Sequence, residues 1–203
     1  MKKINFSVLL CSLALAANAQ TAQKGNPFPL GQYEELTDTK PHDTDAAWAK
    51  ISAPTQFSWA STDVRYRRND IPKIKKQATW SGKAWRGERV NAQAVLWTNC
   101  ELNDVEVIAT ELRSGKAVIP ASAVRTNFVR YVMTDELNEQ GGGCGFRNPA
   151  DFDSSVVADV LDINKTLPVK RNTTQPVWMN IWVPQDAKPG TYTGQLTIKG
   201  KGM

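Results

Sequence analysis

The run Glu88-Arg89-Val90-Asn91-Ala92-Gln93-Ala94-Val95-Leu96-Trp97-Thr98 decides the fold class. Val90, Ala92, Ala94 and Leu96 fall on one side of an extended chain, while Arg89, Asn91 and Gln93 fall on the other. A repeat of two is the pattern of a strand lying with one face on a core. A second run near the far end, Gln175-Pro176-Val177-Trp178-Met179-Asn180-Ile181-Trp182-Val183, alternates as cleanly. Val177, Met179, Ile181 and Val183 share its apolar face, and Trp178, Asn180 and Trp182 share the opposite one.

Shorter runs of the same kind surround these two. Residues 55–60 and 63–67 read as strands or one bent strand ahead of the first, and residues 77–85 as another, broken near Gly82. Residues 105–112 follow an Asn103-Asp104 turn, and Ser114-Gly115-Lys116 makes a hairpin into residues 117–119. Residues 127–134 are apolar on both faces, which predicts a central strand, and residues 156–161 form a short one. Pro184 stops the Trp178 strand, and Pro189-Gly190 has the chemistry of a type II turn. Residues 191–199 then return as its hairpin partner, with Tyr192, Leu196 and Ile198 inward. Eight or nine short strands with little helix predict an all-β fold, an antiparallel β-sandwich of immunoglobulin-like or related type, over residues 55–199.

What precedes the sandwich has a different texture. Lys2 and Lys3, the apolar residues 4–17 and the small-x-small Ala17-Asn18-Ala19 predict a signal peptide over residues 1–19, cleaved after Ala19. That apolar run is too short to span a bilayer. The expected location is exported, periplasmic or extracellular. Residues 20–54 read as an extension interrupted by Gly25, Pro27, Pro29, Gly31 and Pro41. Asp43-Thr44-Asp45 ahead of Ala46, Ala47, Trp48 and Ile51 caps one short helix within it. Of three cysteines, Cys11 leaves with the signal, so Cys100 and Cys144 remain as a candidate disulfide in an oxidising compartment.

Composition limits the chemistry. At 203 residues, 41% hydrophobic and 22% charged, the chain is an ordinary globular one. It is too short for a sandwich followed by an eight-fold α/β barrel, which alone takes about 250 residues. His42 is the single histidine, so multi-histidine metal sites are excluded and no cofactor is expected. The formal charge of +5 loses two units with Lys2 and Lys3, which argues against a nucleic-acid partner.

Four features invite a functional reading. Gly141-Gly142-Gly143-Cys144-Gly145 lacks the lysine and strand–loop–helix setting of a phosphate cradle and reads as a loop. Asp135-Glu136 is an adjacent carboxylate pair of the kind glycoside hydrolysis uses, but it opens a polar loop of residues 135–153. Val64-Arg65-Tyr66-Arg67-Arg68, with Lys73, Lys75 and Lys76, is the most basic stretch and reads as a solvated edge strand. Among seven tryptophans, Trp178 and Trp182 flank Asn180 on one strand face, which is the candidate interdomain or sugar-contact face.

Several stretches together resemble a known family. They are Phe57-Ser58-Trp59-Ala60-Ser61-Thr62-Asp63, residues 84–97 around Gly87-Glu88-Arg89-Val90-Asn91-Ala92-Gln93, and Phe128-Val129-Arg130-Tyr131-Val132-Met133-Thr134-Asp135-Glu136. Asp159-Val160-Leu161-Asp162, Gln175-Pro176-Val177-Trp178 and residues 183–194 complete the set. These are similar to the N-terminal region of glycoside hydrolase family 123, over about residues 32–199. The resemblance implies an exported bacterial β-N-acetylgalactosaminidase or relative, with an N-terminal β-sandwich and a C-terminal (β/α)8 barrel. It implies substrate-assisted catalysis by an adjacent Asp-Glu pair on the barrel, and glycans containing N-acetylgalactosamine as ligands. Residues 200–203 then read as a cut junction to that barrel, and no residue here takes a catalytic role. Asp135-Glu136 lies in the sandwich half and is not that pair. The expected function is therefore non-catalytic support of the barrel; the alternative is a free-standing carbohydrate-binding module.

Overall fold

A computed structural model describes residues 35–134 and 155–203, all within one unit, Glu35–Met203. A four-residue helix, α1 (Asp45–Trp48), precedes ten strands: β1 (Thr55–Ala60), β2 (Arg89–Thr98), β3 (Leu102–Ala109), β4 (Leu112–Ser114) and β5 (Ala117–Ile119), then β6 (Val124–Thr134), β7 (Ser155–Leu161), β8 (Thr166–Val169), β9 (Thr173–Trp182) and β10 (Leu196–Lys201). The large sheet has the order β1-β2-β9-β6-β7, the second sheet β10-β3-β8, and β4 and β5 form a ribbon. Every pairing is antiparallel. The fold is an all-β sandwich, and no barrel occurs among the described residues.

The two alternating runs become neighbours at the centre of the large sheet. β2 and β9 pair along their whole length, from Arg89 opposite Trp182 to Thr98 opposite Thr173. Opposed residues share a face, so Leu96, Val177 and Phe128 point together into the core. There they meet Leu102, Val105 and Val107 of β3 and Leu167 and Val169 of β8. Each such side chain contributes roughly 1.5–3 kcal/mol by leaving water. β6 lies between β9 and β7, the interior position its two apolar faces predict.

The opposite face of the large sheet is half covered. Towards its C-terminal end β2 is buried on both sides, because the largely irregular segments 35–54 and 61–80, on either side of β1, cross the sheet there as a strap. Trp48 and Tyr66 from the strap pack on Val95 and Trp97, with Ile51, Ile71 and Ile74 around them. Thr44 caps α1 by accepting the amide of Ala47 at 3.3 Å, which turns Trp48 down onto the sheet. Gln93, expected to face solvent, is 4% exposed and donates to the carbonyls of Ser61 and Val64.

Three local expectations are corrected. Residues 63–67 and 77–85 are not strands. Their backbone groups are satisfied by side chains and a few backbone contacts instead of a ladder. The Asp63 amide donates to Ser61 Oγ and Gln93 donates to the Val64 carbonyl; the Gln77 amide donates to Ser58 Oγ, its carbonyl accepts the Trp59 amide, and the Trp85 amide donates to Glu88. Asn103-Asp104 is a bulge inside β3, not a turn ahead of it. Asp104 sits at φ 51°, and the register with β8 shifts between Leu102 and Val105.

The final hairpin is also absent. β9 already has β2 and β6 on its two edges, so the returning chain cannot pair with it. It turns at Pro184, where the Ala187 amide bonds the Pro184 carbonyl, passes β4 through an Arg113–Thr193 bridge, and joins β3 in the other sheet as β10. Gly190 is not in the left-handed region a type II turn needs; a Cβ there would lie 2.6 Å from Ser114 Oγ, so that hydroxyl would have to turn aside. The Ser114–Ala117 hairpin is as expected, with Gly115 at φ 57°.

Candidate functional site

The register of β2 against β9 builds the tryptophan face. Arg89, Asn91 and Gln93 stand opposite Trp182, Asn180 and Trp178, so alternation on two distant strands yields one composite surface. Asn91 Oδ1 accepts from Trp178 Nε1 at 3.2 Å and from Asn180 Nδ2 at 2.7 Å. Asn180 Oδ1 in turn accepts from Arg89 at 3.2 Å, and the Arg89 guanidinium lies 5.7 Å from the centre of the Trp182 ring. The three residues expected to form the face are therefore brought together, but Trp178 is half-buried and packs on Val129, Tyr131 and Ala158.

Trp182 remains 47% exposed, and Trp85 is 84% exposed at the same end of the sheet. Trp85 is carried there by a tight turn. Its amide donates to Glu88 Oε2 at 2.6 Å, and the Gly87 amide bonds the Val183 carbonyl at 2.8 Å. Gly87 has φ 80°, and a Cβ there would meet the Gln185 amide group at 2.3 Å, so only glycine closes this turn. Arg89 escapes a sequence reading because only the strand register shows that it stands opposite Trp182.

The basic stretch is no strand: Arg67 and Arg68 form a clamp, while Lys73, Lys75 and Lys76 stay exposed. Arg67 reaches Asp38 at 2.9 Å and Asp70 at 3.2 Å, and Arg68 reaches Glu35 at 3.0 Å. Glu35 also takes Arg130 at 2.6 Å, and Arg130 takes Asp162 at 2.7 Å. Burial disfavours the charge on Arg130, but Glu35 and Asp162 outweigh it and raise its pKa. Burial likewise pushes the Asp162 carboxyl up, yet the Asn164 amide and Arg130 prevail and hold it below its ordinary 3.8. Tyr131, fully buried beside Glu35, has its hydroxyl pKa driven well up by desolvation and donates to Thr174 O at 2.6 Å. These acids are spent on arginines and backbone amides, an arrangement that fastens the strap.

The remaining candidates are quickly placed. His42 is exposed, 3.2 Å from Lys40 O. Asp135-Glu136, the glycine run 141–145 and Cys144 lie outside the described residues. Cys100, the expected partner of Cys144, is half-buried just past the end of β2 with its thiol 3.4 Å from Asn99 Oδ1. Among the described residues no group of three or more His, Cys, Asp or Glu side chains is set to hold a metal, and no helix is long and apolar enough to cross a membrane.

Comparison with known proteins agrees with this architecture. One solved structure, a family 123 glycoside hydrolase from Clostridium perfringens studied for its hydrolysis of glycolipid glycans, is similar at a TM-score of 0.64 and 23% identity. The similarity covers 74% of this chain and 25% of that one, so the chain spans about a quarter of that protein's length. No curated protein sequence matches. The sequence profile of the glycoside hydrolase 123 N-terminal domain matches residues 59–200, which is more than half of the chain. With its strands paired as a sandwich over that same span, the chain belongs to the family of glycoside hydrolase 123 N-terminal domains.

Proposed function

We propose that this chain is the non-catalytic β-sandwich of an exported glycosidase of β-N-acetylgalactosaminidase type, and that it buttresses a (β/α)8 catalytic barrel. Family membership supplies the hydrolase setting. The observation that carries the supporting role is the aromatic end of the large sheet, where Trp85 and Trp182 are exposed. The polar groups beside them are already engaged with one another through Asn91, Asn180 and Arg89. A sugar subsite needs amide and guanidinium donors aimed at hydroxyls; apolar rings beside a self-satisfied polar ladder suit protein packing better. Export rests on the signal-like residues 1–19, with Cys100 and Cys144 bonded after it.

The test is hydrolysis of an aryl β-N-acetylgalactosaminide by the chain alone and joined to a family 123 barrel. The expected result is a background rate alone and turnover when joined, unaffected by Asp135→Asn or Glu136→Gln and made less heat-resistant by Trp85→Ala with Trp182→Ala. Turnover by the chain alone that vanishes in Asp135→Asn would overturn the reading.

A further inference from the structure

A second feature adjoins the Trp178 face, with Asn91 on the border of both. A groove of about 730 Å3 runs between β1 and the strap residues 61–77, within the usual volume of ligand clefts. Trp59 and Trp80 line it with ring centres 6.0 Å apart and planes tilted by 35°. Both rings are half-buried and anchored against the Ala92, Met179 and Ile181 cluster, so they are fixed in position. Tyr66 also lines the groove, and its hydroxyl has no partner among the described residues.

The charge in the groove is unbalanced. Its one acidic lining residue, Asp70, is taken by Arg67 at 3.2 Å. Lys73 and Lys75 line it, are exposed, and have no carboxylate partner among the described residues. Rigid aromatic rings suit the C–H faces of pyranose sugars, a free phenol suits a hydroxyl, and two open ammonium groups suit an anion. We propose that this groove binds an acidic oligosaccharide, with a sugar ring on Trp59 and Trp80 and its carboxylate or sulfate held by Lys73 and Lys75.

Aromatic rings with cations also hold single-stranded nucleic acid. That occupant needs a row of cations along a phosphate backbone, and the row does not exist here. Arg65, Arg67 and Arg68, which would extend it, are paired with Asp159, Asp38, Asp70 and Glu35. Two lysines match one or two anionic groups on a mostly uncharged ligand. The groove reading stands whether or not a barrel packs on the Trp182 end.

The experiment is a calorimetric and tryptophan-fluorescence titration of the whole chain. The probes are an oligogalacturonide carrying only carboxylates, a sulfated dextran oligomer carrying only sulfates, neutral maltohexaose, inorganic sulfate and a short oligothymidylate. Saturable binding to one or both acidic sugars is expected, at least about tenfold tighter than to maltohexaose or the oligothymidylate. The sugar that binds identifies the anion. Lys73→Ser with Lys75→Ser, both on the surface, should weaken it by about tenfold without changing the melting temperature. Binding to neither acidic sugar, equal affinity for the neutral one or the oligothymidylate, full competition by inorganic sulfate at matched ionic strength, or unchanged affinity in the lysine variant would each overturn the proposal.

Discussion

Arg130 Nε lies 2.6 Å from Glu35 Oε1, so the first described residue of the chain is held to the middle of β6 across the large sheet. Glu35 Oε2 simultaneously takes Arg68 at 3.0 Å, and its other oxygen accepts the Tyr131 amide at 3.1 Å. One carboxylate thus joins the start of the strap to Arg68 further along it and to the sheet beneath. Residues 35–58 stand ahead of the span shared with the family, yet they complete the packing of the sheet's second face.

Glu35→Gln should therefore destabilise the domain by about 2 kcal/mol, since Arg68 and Arg130 would lose charge-assisted partners in a half-dry site. Urea unfolding followed by tryptophan fluorescence measures this. An unchanged midpoint would show that the strap is held by its apolar side chains alone.

Acid should loosen the same clamp. The Asp162 carboxyl is held below its ordinary 3.8 in the folded chain by the Asn164 amide and Arg130, against the opposing pull of burial. A depressed folded pKa means that the unfolded chain binds the proton first as pH falls. Its stabilising contribution is complete above the unfolded value and is lost progressively from about pH 4 downward. In Asp162→Asn the unfolding free energy should fall less steeply between about pH 4 and pH 2 than in the parent. Parallel pH profiles would remove Asp162 from the account.

The tryptophans should separate into structural and surface classes. Trp48 is 1% exposed, with its indole N–H on the Asn69 carbonyl at 3.1 Å, and Trp48→Ala should cost about 3–5 kcal/mol. Trp182→Ala removes a half-exposed ring and should cost under about 1 kcal/mol in the isolated chain. It should also leave titration with neutral N-acetylgalactosamine oligosaccharides flat, as in the parent. A saturable fluorescence change lost on substitution of Trp178 or Trp182 would instead make that face a sugar-binding module.

Cys100 and Cys144 should be bonded in exported protein, which closes a loop whose chain entropy corresponds to about 4 kcal/mol before any strain. Alkylation without reductant should label neither; labelling of both would exclude the bond.

How much of this was legible varies by element. Strands β2 and β9 are plain in the sequence because one apolar face and one polar face give a period of two, and that pattern is local. The Ser114–Ala117 hairpin and the Thr44 cap are equally local, each set by a few neighbouring residues. The strap is hidden in the sequence because Arg65-Tyr66-Arg67-Arg68 has strand-like spacing, while Arg65, Arg67 and Arg68 answer to Asp159, Asp38 and Glu35, each far outside a local sequence window.

By itself the sequence determined the all-β class, the central strands and, through its family likeness, the kind of protein to which the chain belongs. Tertiary structure alone decided that Arg89 faces Trp182, that β10 crosses to the second sheet, and that Trp59, Trp80, Lys73 and Lys75 line one groove. The reason is physical. A strand's faces follow from its own alternation, but its neighbours follow from which edges are already occupied and which buried charges must be matched.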